Sequence, residues 1–129
     1  MLYDKKKLIV HPQTWPSGET CYIFDKHGWG MIRVTHYPEM ENSMEHCLLS
    51  DLYVIPEKRC IGLGSALIER ALEYGLGDRA EMDFTLMFDD DSIPWAREWY
   101  VRNGWQHLDY RDGGERLYKV VTKNLEENH

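Results

Sequence analysis

The sequence predicts an α/β (α+β) fold built on one mixed, mostly antiparallel sheet. Three observations carry that prediction. Apolar strand-like runs alternate with helix-patterned runs through the second half of the chain, and two stretches, one on either side of them, read as hairpins. The length of 129 residues suits a single domain, 1–129, and 43% apolar residues with five Trp and eight Tyr supply a core.

The elements follow in order. Residues 7 to 11, KLIVH, read as a short strand, and PQTWPSGE, with two prolines and a glycine, as a loop. TCYIFDK (20 to 26) and WGMIRVTH (29 to 36) are β-rich and read as a hairpin turning at His27-Gly28. YPEMENSMEH is polar and reads as a connection. CLLSDLYVI (47 to 55) is the best central strand, and Pro56, which cannot donate to a ladder, ends it. EKRCIGLG then feeds a helix. Leu63, Leu67 and Ala71 form one row, Ile68 and Leu72 the next, and Glu69, Arg70 and Glu73 fall outside, so one face packs on a sheet. Gly75 and Gly77 are its stop signals. AEMDFTLMF (80 to 88) alternates as a strand, and the strand–helix–strand unit should be parallel and right-handed. DDDS offers N-caps and Pro94 suits a first turn for a second helix, which runs to about Asn103 and stops at Gly104. WQHLDYR and ERLYKVV flank DGG as a final hairpin, and 121–129 is a frayed polar tail.

Composition excludes several functions. A net charge of -7 argues against general nucleic-acid binding, which needs a basic surface. No apolar run approaches the ~20 residues of a membrane span. The lysines near the N-terminus precede too short an apolar stretch for a signal peptide, so a cytoplasmic location is expected. Cys21, Cys47 and Cys60 show no C-x-x-C spacing, and the adjacent His46 and Cys47 suit no common metal motif, so neither a disulfide framework nor a metal is expected.

The chemistry concentrates in Arg59-Cys60-Ile61-Gly62-Leu63-Gly64. A strand that turns through glycines into a helix presents free backbone N–H groups at the positive end of the helix dipole. Glycine lets phosphate oxygens approach the backbone, and Lys58 and Arg59 add positive charge. These residues alone leave two readings open, a phosphate cradle or a tight helix entry. No Walker loop is present, and G-x-G-x-x-G fails because position 67 is Leu.

The same run resembles the R/Q-x-x-G-x-G/A signature of the GNAT superfamily of acyl-CoA-dependent N-acyltransferases. LYVIPEKR before it and SALIERALEYG after it resemble the family's strand and helix on either side. AREWYVRNGW resembles the family's A-x-x-x-Y-x-x-x-G-F block, with Trp105 in place of Phe. The resemblance implies a sheet whose two central parallel strands splay apart, with acetyl-CoA entering at the opening and no metal. It implies that the backbone of Leu52, Tyr53 and Val54 meets the pantetheine arm. It places the pyrophosphate on the N–H groups of Arg59, Cys60, Ile61, Gly62, Leu63, Gly64 and Ser65.

Tyr100 corresponds to the family's tyrosine, often assigned as the acid for the departing CoA thiolate; a core aromatic is its other reading. The glutamate that many members carry on the strand is replaced by Ser50 and Leu48. Asp51 is that strand's one carboxylate, on the face of Tyr53 and opposite Ser50 by alternation. It binds a cationic acceptor, acts as base through water, or faces solvent. Asp89, Asp90 and Asp91 follow the next strand and read as helix caps. The family's Asn before the second helix is absent, with Asp91, Ser92 or Ile93 in its place, and the two helices that usually follow the first strand are reduced to HPQTWPSGE. The acceptor pocket is then either open or completed by another chain, as in a homodimer. The resemblance implies acetyl transfer to a primary amine, either a small cation or a protein amino group. The alternative is a binding module that holds acyl-CoA without turnover, as a sensor or partner subunit.

Overall fold

The computed structural model describes residues 3–16, 18–89 and 96–123, without the side chains of Cys60, Phe88 and Asp89. Its strands are β1 (Ile9–Trp15), β2 (Gly18–Phe24), β3 (Gly30–Tyr37), β4 (His46–Val54), β5 (Glu81–Asp89), β6 (Gln106–Arg111) and β7 (Gly114–Thr122). Its helices are α1 (Leu63–Leu76) and α2 (Ala96–Arg102). One seven-stranded sheet runs β1-β2-β3-β4-β5-β7-β6. All neighbours are antiparallel except β4 and β5, which are parallel around α1 as the strand–helix–strand pattern requires.

Helix α1 forms where the leucine rows predict it. Leu63, Ala66, Leu67, Ile68 and Ala71 are buried on the face that carries Ile23, Ile32, Val34, Leu49 and Phe84. Each buried Leu or Ile contributes about 1.5–3 kcal/mol, so this row outweighs any helix propensity term. Gly75 lies inside the helix, not at its end. A Cβ there would meet Phe84 ring carbons at 2.6 Å and Cys47 Sγ at 3.1 Å, so this glycine permits close packing. The helix ends at Gly77.

Helix α2 sits on the same face. Arg97 Nε donates to Glu115 at 2.6 Å, and Lys119 Nζ donates to the Asn103 carbonyl at 2.6 Å. Glu115 and Lys119, each two residues from buried Leu117 on β7, share its face, and Leu117 pairs with Leu86 of the covered face. The opposite face, with Tyr22, Arg33, Leu48, Ser50 and Thr85, has no helix over it among the described residues.

Two expectations need correction, and the final hairpin stands. PQTWPSGE is largely strand: β1 continues to Trp15, which pairs with Gly18, so β1 and β2 form a tight hairpin. Pro12 is accommodated because β1 is an edge strand and has only β2 as a partner. The tail begins later than residue 121, since Val121 and Thr122 pair with Met82 and Glu81 and the Lys123 N–H reaches the Ala80 carbonyl. The final hairpin turns at Asp112-Gly113, both with positive φ (52° and 83°), as a two-residue Asp-Gly loop demands.

Candidate functional site

The site grows from a change of environment along β4. Cys47, Leu48 and Leu49 pair with Phe84, Thr85 and Leu86 of β5. Beyond Leu49 no pairing to β5 continues, while Met87, Phe88 and Asp89 stay paired to β7. The strands therefore diverge at Ser50, and among the described residues one backbone edge of Ser50–Val54 has no strand partner. Such an edge attracts an extended ligand through main-chain hydrogen bonds.

A bulge marks the divergence. Met31 pairs with Tyr53 and Arg33 with Ser50, so Ile32 alone opposes both Asp51 and Leu52. Asp51 takes φ 56°, the left-handed region that side chains other than Asn and Asp enter reluctantly. Such strain is of order 1–3 kcal/mol and persists where surrounding structure enforces it. The bulge also breaks alternation. Asp51 and Ser50, expected on opposite faces, converge on one side chain: Arg33 Nε donates to Ser50 Oγ at 3.0 Å, and Arg33 Nη2 pairs with Asp51 Oδ2 at 3.2 Å.

The glycine loop closes back on the end of β4. Residues Pro56–Ile61 form a 3₁₀ turn, Gly62 takes φ 80°, and α1 starts at Leu63. Ala66 N–H makes the first helical bond, to the Gly62 carbonyl at 3.0 Å. The N–H groups of Leu63, Gly64 and Ser65 precede it in the first turn, and Gly62 has no side chain to cap them. Gly64 and Ser65 are half-buried and accessible. A Cβ on Gly64 would touch only Val54 Cγ2, at 3.8 Å, so there is room beside the loop for an anion. This space and these donors suit an anion.

Buttresses hold the loop in place. Arg59 Nε donates to the Val54 carbonyl at 3.0 Å. Lys58 Nζ lies 4.1 Å from the centre of the Trp29 ring, and the Ile55 N–H bonds to the Trp29 carbonyl at 2.8 Å. Tyr3 adds a backbone bond to the Ile61 carbonyl at 2.8 Å and a hydroxyl bond to buried Asp25. Arg59 and Lys58 thus stand at the mouth with part of their bonding already committed to the protein.

Tyr100 lies on α2, edge-on to Trp99 (5.3 Å between ring centres) and Trp105 (6.1 Å). Burial pushes its hydroxyl pKa above the usual tyrosine value, so it stays protonated at neutral pH. Asp51, Leu52 and Tyr53 line the exposed part of β4, next to the glycine loop. Tyr100 shares no described hydrogen bond with that group. The aspartates Asp90 and Asp91, with Ser92, Ile93, Pro94 and Trp95, lie outside the described residues, as do the side chains of Asp89 and Cys60. The residue not anticipated is Arg33. Its signal in the sequence is a cation among the alternating apolar residues of WGMIRVTH, on the face opposite Ile32 and Val34.

Among the described residues, no helix is long and apolar enough to cross a membrane. Among the same residues, no three His, Cys, Asp or Glu side chains are grouped to hold a metal ion.

The sequence matches the acetyltransferase (GNAT) family over residues 4–105. Solved structures share the fold at low identity. One is an acetyltransferase of the GNAT family from Staphylococcus aureus, with TM-score 0.59 and 16% identity, the match covering 82% of this chain and 69% of that one. Another is the Bacillus subtilis N-acetyltransferase YlbP in complex with coenzyme A, with TM-score 0.52, 18% identity and coverage of 81% and 67%. A third is a spermidine N-acetyltransferase SpeG chimera from Vibrio cholerae and hSSAT, with TM-score 0.51, 18% identity and coverage of 81% and 68%. The splayed β4 and β5, the glycine loop and the family match over residues 4–105 lead to one conclusion: this chain belongs to the acetyltransferase (GNAT) family.

Proposed function

We propose that this chain, acting as one domain, is an N-acetyltransferase that moves an acetyl group from acetyl-CoA to a primary amine by direct attack in a ternary complex. The observation that carries the reading is the C-terminal half of β4, whose edge toward β5 has no strand partner among the described residues, beside the uncapped first turn of α1. The N–H groups from Arg59 to Ser65 hold the pyrophosphate, and the backbone of Leu52, Tyr53 and Val54 holds the pantetheine arm. A backbone N–H of β4 at the opening donates to the thioester oxygen as negative charge develops there.

The acceptor nitrogen attacks the thioester carbonyl carbon. The N–C bond forms, the C–S bond breaks, and the sulfur leaves with the bonding pair. Tyr100 supplies a proton to that sulfur, and the phenolate it leaves recovers one through solvent as the new amide nitrogen releases its extra proton. Asp51, on the exposed rim, orients the acceptor ammonium and passes its proton to solvent. The acceptor reaches the opening from the sheet face that α1 and α2 leave uncovered.

Calorimetric titration with acetyl-CoA, followed by an assay of CoA release over a panel of amines, tests the proposal. Saturable acetyl-CoA binding and amine-dependent CoA release are expected; absence of acetyl-CoA binding would sink it. A binding module without turnover is the second reading, favoured by the absence of a glutamate at positions 48 and 50. Saturable binding with no amine-dependent release would select it.

A further inference from the structure

The acceptor side of the opening carries a built pair of opposite charges. Arg33 and Asp51 lie 3.2 Å apart on the uncovered face, with side chains 37% and 56% exposed. They stand where β4 leaves β5, so an amine approaching the opening from this face passes them. The guanidinium is fixed by Ser50 through Nε and by Asp51 through Nη2, which leaves Nη1 unbonded among the described residues. A guanidinium so held offers a planar fork suited to a carboxylate. Tyr22 pairs with Arg33 across the sheet and His11 pairs with Tyr22, so a polar row leads along the floor to the opening.

The charge arithmetic separates acceptor classes. Asp51 alone would favour a polycation. With Arg33 against it, the pair has no net charge, and a second ammonium on a polyamine would meet a like charge. A molecule with an ammonium and a carboxylate a few bonds apart matches the pair charge for charge.

Building on the acetyltransferase reading above, we propose that the acceptor is a small zwitterion of the amino-acid type, its carboxylate on Arg33 and its amino group beside Asp51 at the opening. Arg33 sets specificity and takes no part in the bond changes.

The test compares common L-amino acids with the amines that lack only their carboxyl groups, and with spermidine. CoA release is measured for each, and direct binding is measured to the CoA-loaded protein. The side chain of Arg33 is 37% exposed, so the lost contact is one screened by solvent, and at least one amino acid should exceed its decarboxylated partner by about fivefold in kcat/KM or affinity. Arg33→Gln should erase that ratio while acetyl-CoA affinity stays within about twofold of the wild type, since Arg33 lies off the proposed pyrophosphate and pantetheine contacts. If Arg33→Gln does not fold, the wild-type ratio decides alone. Equal use of the decarboxylated amines or of spermidine would overturn the proposal. So would failure of every L-amino acid to saturate the CoA-loaded protein. Either result with acetyl-CoA binding intact leaves the acetyltransferase reading standing; loss of acetyl-CoA binding removes both.

Discussion

The two halves of β4 belong to one continuous strand and have opposite tasks. In the first half, Cys47 and Leu49 are buried, a strand pairs on each side, and α1 lies over them. In the second half, the partner on one side is gone, three successive residues from Asp51 to Tyr53 are exposed, and a bulge holds Asp51 at positive φ. The first half obeys every local rule of a central strand. The second breaks alternation, pairing and backbone preference within five residues. A fold that satisfies such rules elsewhere tolerates this concentration of violations where a ligand must bind.

The contrast breaks most sharply at the glycine loop. Gly62→Asp puts a carboxylate at the mouth of the proposed pyrophosphate site, at a residue with φ 80°. Charge repulsion and displaced N–H donors together should raise the acetyl-CoA dissociation constant by at least about 100-fold, near 3 kcal/mol, while the left-handed backbone at this position lowers the melting temperature by only a few degrees. Calorimetry on the folded variant checks this. Unchanged affinity would show that the loop is only a helix entry.

Gly75→Ala tests the paired half. Alanine alone would favour the helix by about 1 kcal/mol. Here its Cβ would lie 2.6 Å from the Phe84 ring, and overpacking of this kind costs about 1–3 kcal/mol. The clash wins where it exceeds that gain, so a net loss of up to about 2 kcal/mol in urea unfolding is expected, with acetyl-CoA affinity retained. A variant that weakened CoA binding at unchanged stability would show that the two halves of β4 are not separable.

These two glycines also show what the sequence disclosed. Gly62 is readable because its neighbours, Arg59 and Gly64 with a leucine-patterned helix behind them, repeat one local geometry. Gly75 was not: a glycine late in a helix is a stop or a close contact, and only Phe84 and Cys47, brought in by the sheet, decide between them. The element order, the parallel pair and the final hairpin follow from periodicity and turn residues. The length of β1 does not, because Pro12 and Pro16 signal a loop, whereas an edge strand tolerates proline. Arg33 was hidden for a different reason. Its meeting with both Ser50 and Asp51 depends on the bulge, and a bulge shifts register by one residue without any compositional mark.

Tyr100→Phe probes the far side of the opening. If the hydroxyl protonates the leaving sulfur, kcat should fall by about 10- to 100-fold while acetyl-CoA affinity stays nearly constant. The ring packing with Trp99 and Trp105 survives the change, so stability should hold as well. Equal losses in kcat and affinity, or a fall in melting temperature without loss of turnover, would make Tyr100 a packing residue.

The smallest expected effect concerns how the diverged end of β5 keeps its position. Glu115 pairs with Phe88 across the β5–β7 ladder and binds both Arg97 of α2 and His107 of β6. Hydrogen bonds from Arg97, opposed by burial and aided by His107, hold its carboxyl at about 2, below the ordinary 4.5. The folded-state pKa is depressed, so Glu115 stabilises the fold fully above pH 4.5 and progressively less as pH falls toward 2. Glu115→Gln should therefore melt below the wild type at pH 7, and the gap should close as pH approaches 2. Thermal melts of both proteins across this range measure it. A gap independent of pH would mean that Glu115 acts through shape alone, and that the wall facing the open half of β4 owes nothing to this ion pair.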